Sequence, residues 1–144
     1  MRVSWHGHSI DFQLDGSVSA TFWLYKNIAS MRKASLIVGT RTSLQMLKDV
    51  LEGGRNLTSL RIYNDYHSTE HIEVLPPLPP QLEQLDVERC LKLTASPALP
   101  PALRKLRCIR CVGLEALPSS LSSSDVSVLD FSGCNQLASF PELP

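Results

Sequence analysis

The chain of 144 residues carries 14 Lys plus Arg against 14 Asp plus Glu, a formal net charge of zero, and 43% hydrophobic residues. That length fits one domain with its own core. The neutral balance argues against a surface built to neutralise nucleic-acid phosphates or to hold an anionic membrane, and no apolar run approaches the roughly 20 residues that cross a bilayer.

The first 35 residues begin MRVSWHGHSIDFQLDG, where His6, His8, Asp11 and Gln13 break up any apolar segment. No secretory leader is readable, so an intracellular, cytoplasmic chain is expected. Ile10, Phe12 and Leu14 alternate with polar residues, and Val18, Ala20, Phe22 and Leu24 alternate again after Asp15-Gly16. An Asp-Gly pair between two alternating runs predicts a β-hairpin, because both central residues of its two-residue turn need positive φ. Next, ASLIVG supplies Leu36 and Val38 as inward strand residues. TSLQMLKDVLEGG then places Leu44, Leu47 and Leu51 at helical spacing, with Thr42 or Ser43 as N-cap and Gly53 or Gly54 as stop.

Composition changes sharply along the chain. All ten prolines lie between Pro76 and Pro144, whereas five of the seven glycines lie at or before Gly54. The second half is an internal repeat: LEQLDVERCLKL from Leu82, LRKLRCIRCVGL from Leu103 and VSVLDFSGCNQL from Val126 superpose at intervals of 21 and 23 residues. Each unit puts apolar residues at positions 1, 4, 6 and 12 and a cysteine at position 9. An earlier unit, NLTSLRIYND, keeps Leu57, Leu60 and Ile62 in register and has Asp65 where the others have cysteine. Between units lie LPPLPPQ, ASPALPPA, ALPSSLSSS and SFPELP. Proline fixes φ and lacks an N–H, so these returns are expected to be extended rather than helical.

This pattern resembles the leucine-rich repeat, over roughly residues 34 to 144. The resemblance implies an α/β-type solenoid in which each unit gives one short parallel strand and a return segment. The cysteine after the strand and the Leu-Pro pairs of the return are similar to repeats of plant intracellular immune receptors and some protozoan proteins. They are less like bacterial type III effectors, whose ninth position is asparagine where this chain has Cys90, Cys111 and Cys134. The expected division is a hairpin over 1–35 capping the first repeat, followed by a solenoid over 36–144 that ends where a further strand is due. That open edge invites self-association.

Several residue sets could carry chemistry. Cys108-x-x-Cys111 with Cys90 and Cys134 reads as a zinc site, a redox pair or a row of small buried residues at the post-strand turn. Three of the four share one repeat position, and neighbouring strands lie about 5 Å apart, which favours the row. His67 to His71, HSTEH, matches the H-x-x-E-H pattern of some zinc peptidases, but it lies on a return segment rather than a long helix, and an exposed loop is the simpler reading. His6-Gly7-His8 reads as solvated, and the Asn56-Leu57-Thr58 sequon is discounted because Leu57 belongs to the core pattern. With no nucleophile elbow, Walker loop or dinucleotide fingerprint, neither an enzyme nor a cofactor is expected.

What remains is the outward face of the strands. Alternation points Arg61 and Tyr63, Asp86 and Glu88, Lys105, Arg107 and Ile109, and Asp130 away from the core. Across the sheet the middle position reads Arg61, Asp86, Arg107, Asp130, alternating in sign. Such a ladder either satisfies itself or presents a charged recognition face. The expected function is binding of a protein partner through this concave face. The alternative is the recognition arm of a larger modular immune receptor or ubiquitin-ligase-type effector.

Overall fold

The computed structural model describes residues 3–6, 9–14, 18–39, 42–65 and 72–142. Its strands are β1 (Val3–His6), β2 (Ser9–Leu14), β3 (Lys33–Val38), β4 (Ser59–Asn64), β5 (Gln84–Glu88), β6 (Lys105–Ile109) and β7 (Val128–Asp130). They form one sheet in chain order, antiparallel between β1 and β2 and parallel at each of the five pairings from β2 to β7. Helix α1 (Val18–Asn27) joins β2 to β3, and α2 (Leu44–Gly53) joins β3 to β4. The expected parallel strands between Leu36 and Phe131 are therefore present as β3 to β7, and the expected helix as α2.

The repeat spacing works because a strand alternates faces. Leu36 and Val38, Leu60 and Ile62, Leu85 and Val87, and Leu106 and Cys108 all turn inward and are buried, one pair per strand. Leu57, Leu82 and Leu103 enter the core just before their strands, and Leu93 and Leu114 after theirs. Each such leucine contributes about 1.5–3 kcal/mol by leaving water. Register is thereby fixed, since a slip of one residue would turn every apolar side chain outward.

Main-chain hydrogen bonds repeat with the same period. The Arg32 carbonyl accepts N–H groups from Thr58 and Ser59, that of Thr58 from Glu83 and Gln84, that of Glu83 from Arg104 and Lys105, and that of Arg104 from Ser127 and Val128, all at 2.8–3.2 Å. After the strand, Arg89 (φ 59°), Arg110 (φ 55°) and Gly133 (φ 78°) adopt the left-handed conformation at one repeat position, directly before the cysteine. The Arg89 N–H donates to the Ile109 carbonyl at 2.9 Å and that of Arg110 to Ser132 at 2.7 Å, so the turn locks each unit to the next.

Helix α2 begins where expected: the Ser43 hydroxyl accepts the Met46 N–H at 3.1 Å, and the Gly54 N–H closes the end on the Val50 carbonyl at 3.0 Å. Its buried stripe is Leu47, Val50 and Leu51, while Leu44, expected inside, stands 55% exposed. Among the described residues the later connections contain no α-helix, in keeping with their prolines, and a 3-10 turn spans Ser119–Ser123.

The N-terminal expectation needs correction. A hairpin is present, but its strands are β1 and β2, paired from Val3 with Phe12 to His6 with Ser9. The run Val18 to Leu24, expected as the second strand, is part of α1, and Asp15-Gly16 lies outside the described residues. The reason is topological. β2 joins the sheet parallel to β3, and parallel neighbours need a crossover connection of a dozen or more residues, usually a helix. Among the described side chains of α1 and of the 3-10 turn that follows, Leu24 and Ile28 turn inward, four apart on one side, and Phe22 points out at 58% exposure.

Candidate functional site: the outward face of the sheet

The pairing register brings the expected outward residues into rows. Arg61 of β4 stands opposite Asp86 of β5, Asp86 opposite Arg107 of β6, and Arg107 opposite Asp130 of β7. A second row holds Ile37, Tyr63, Glu88 and Ile109, and a third holds Lys33, Ser59, Gln84, Lys105 and Val128. All eight residues assigned to this face from the sequence lie on it, none of them buried.

The charges hold one another. Arg107 lies between two carboxylates, its Nη1 3.8 Å from Asp86 Oδ2 and its Nε 3.4 Å from Asp130 Oδ2. Arg61 does not reach Asp86 directly opposite. It donates diagonally to Glu88 Oε2 at 2.7 Å, and its guanidinium lies 5.2 Å from the centre of the Tyr63 ring. This hydrogen bond, outweighing the cost of partial burial, raises the pKa of Arg61 above its ordinary value. The Ser132 hydroxyl and N–H, at 2.6 and 3.1 Å, together with Arg107, hold the Asp130 carboxyl below the usual range. Arg107 is thus bound on both sides, whereas Asp86 keeps Oδ1 buried with no hydrogen-bond partner among the described residues. Each exposed pair stabilises by about 0.2–1 kcal/mol, so the ladder orders the surface more than it holds the fold.

Behind the sheet run the thiols. Cys90, Cys108, Cys111 and Cys134 are all buried and none is in a disulfide. The Cys111 thiol donates to the Val87 carbonyl at 3.7 Å, and that of Cys134 to the Cys108 carbonyl at 3.0 Å. At the ninth position Cys111 and Cys134 thus offer a proton to the preceding unit, whereas Cys90 donates to the Glu88 carbonyl of its own unit at 3.8 Å. Burial pushes the Cys108 and Cys134 thiols upward; the hydrogen bond with Cys111, together with burial, does so for Cys90. Among the described residues no group of three His, Cys, Asp or Glu could hold a metal ion.

A cleft of about 280 Å³ opens beyond the ends of β3 and β4, lined by Gly39, Thr42, Leu44, Asn64, Ile72, Glu73 and Val74. Its described lining offers one carboxylate and no imidazole. The HSTEH string and His8 lie outside the described residues. The sequence reading overlooked the left-handed arginines at positions 89 and 110. The signal was there, since Gly133 occupies the same repeat position in the third unit. No helix among the described residues is long and apolar enough to cross a membrane.

The chain matches no protein-family model, no curated protein and no solved structure.

Proposed function

We propose that this chain is a leucine-rich repeat module that recognises a protein partner, inside the cell and without catalysis, through the outward face of β4 to β7. The observation that carries this reading is the second row of that face, where half-buried Tyr63 and Ile109 flank Glu88 beside a ladder of paired charges. Aromatic and apolar side chains supply most binding energy at interfaces, while charges around them set rate and specificity. Arg61 and Arg107 are already oriented by their carboxylates, so a partner would meet them in place, with less side-chain ordering still to be done on binding.

The experiment is affinity capture of one identified partner by the wild-type chain, by Tyr63→Ala and by Arg107→Ala, with each variant checked by circular dichroism. The reading requires both variants to stay folded and to lose capture. Equal capture by all three would place the interface elsewhere.

A further inference from the structure

The rows of the outward face differ in what their side chains already hold. In the middle row Arg107 sits between Asp86 and Asp130, and Arg61 is engaged by Glu88. The row of Lys33, Ser59, Gln84 and Lys105, one residue per strand from β3 to β6, is of the opposite kind. It carries two cations and no anion, and among the described residues none of its four side chains makes a hydrogen bond or an ion pair. Lys33 and Gln84 are exposed, and Ser59 and Lys105 are half-buried. Their backbone is fixed all the same, since the N–H groups of Ser59, Gln84 and Lys105 donate to the carbonyls of Arg32, Thr58 and Glu83 at 3.0 Å.

The spacing specifies what such a row can hold. Neighbouring strands are about 4.8 Å apart, so Lys33 and Lys105, on strands three apart, stand roughly 14 Å from each other. An extended chain rises about 3.3 Å per residue and turns every second side chain to the same side. Carboxylates four residues apart therefore reach both lysines, and the side chain midway between them meets the Ser59 hydroxyl and the Gln84 amide, both able to donate. The row is also narrow. Two residues along β5, about 7 Å away, lies the carboxylate of Asp86. A helix about 10 Å across would overlap the middle row, and a densely charged polyanion would set its charge against Asp86.

Resting on the reading of the outward face as the binding surface, we propose that the partner presents an extended acidic segment, laid across β3 to β6 on this row. One carboxylate of the segment pairs with Lys33 and another, four residues on, with Lys105. A polar acceptor between them takes hydrogen bonds from Ser59 and Gln84. The middle row, already paired, stays neutral beside it, and Tyr63 and Ile109 meet a different part of the partner.

The test is a titration of the intact chain with a blocked nonapeptide of serine and threonine that carries aspartate at its third and seventh positions, read by two-dimensional amide NMR at low salt. A second peptide has its aspartates at the third and fifth positions. The expected shifts centre on Lys33, Ser59, Gln84 and Lys105, and the wider spacing binds roughly 1.5- to 5-fold more tightly, the gain of one exposed ion pair. Lys33→Gln and Lys105→Gln each remove that preference, with circular dichroism confirming that both are folded. Tyr63→Ala leaves it intact, because the peptide has no apolar side chain for the second row. No shift in this row at millimolar peptide, or equal binding of the two spacings, overturns the proposal. So does retention on phosphatidylserine vesicles that Lys105→Gln abolishes, since the lysines would then serve a lipid surface. Capture of a partner that Tyr63→Ala abolishes, with no shifts in the row, keeps the outward face and removes the acidic segment. Shifts in the row, with capture that Tyr63→Ala leaves unchanged, keep the segment and remove the aromatic anchor.

Discussion

Leu106 and Arg107 are neighbours on β6 and lie on opposite sides of the sheet. Leu106 is wholly buried, and the Arg107 side chain is 34% exposed between Asp86 and Asp130. Leu106→Ala leaves a cavity among packed leucines and should destabilise the chain by about 2–5 kcal/mol. Arg107→Ala removes two exposed ion pairs and should cost about 1 kcal/mol or less. Urea denaturation of the two variants checks the contrast, and equal losses would contradict the assignment of faces.

The buried thiols set an alkaline limit. A free thiol titrates near 8.5, and burial raises Cys108 far above that in the folded chain. The folded state then holds a proton that the unfolded state releases. The contribution is complete below the unfolded value and is lost as pH rises toward the folded one. Stability should fall above about pH 9, by roughly 1.4 kcal/mol per pH unit for each thiol so shifted. Denaturant melts from pH 7 to 11 would show it, and Cys108→Val, which copies Val87 of the previous unit, should flatten the slope. A thiol reagent at pH 7 should react with all four cysteines only after unfolding.

The left-handed turn makes three homologous positions unequal. At Gly133 an added Cβ would sit 3.2 Å from Arg110 Cγ on a backbone with φ of 78°, so Gly133→Ala should cost about 1–2 kcal/mol. Arg110→Asn should lie within about 0.5 kcal/mol of wild type, because asparagine tolerates this conformation, whereas Arg110→Val should lose about 1–2 kcal/mol. Thermal melts of the three variants rank them.

Gly113 tests packing between units without any special φ. A Cβ there would lie 2.5 Å from the Leu91 carbonyl oxygen, a main-chain atom of the preceding turn that has no rotamer by which to move aside. Gly113→Ala should therefore destabilise by about 1–3 kcal/mol, although alanine is ordinarily the more favourable residue. A rise in melting temperature would mean that the two turns do not meet this closely.

The repeat was legible because two signals coincide in it, a period of two within each strand and a unit of 21 to 23 residues between strands. Together they placed Leu85, Leu106 and Leu129 inward and Asp86, Arg107 and Asp130 outward. The N-terminal segment offers neither. Val18, Ala20, Phe22 and Leu24 alternate as a strand would, and valine, threonine and aromatic residues favour strands locally. What makes the segment helical is the parallel pairing of β2 with β3, a long-range relation that no local pattern contains. The ion pairs were half legible. Register gave Arg107 its two partners, but the reach of an arginine side chain let Arg61 choose Glu88 on the diagonal over Asp86 directly opposite.

The alternating ladder has a consequence for how such a sheet could lengthen. Its apolar pattern repeats with every strand, but its signs repeat only with every second strand, so the electrostatic unit is twice the hydrophobic one. Copying a single unit, for example the one containing β6, would leave the core in phase and set Arg107 beside its own duplicate. Copying β5 and β6 together keeps the signs alternating along the row. Parity, which the buried leucines do not record, is written on the outward face alone.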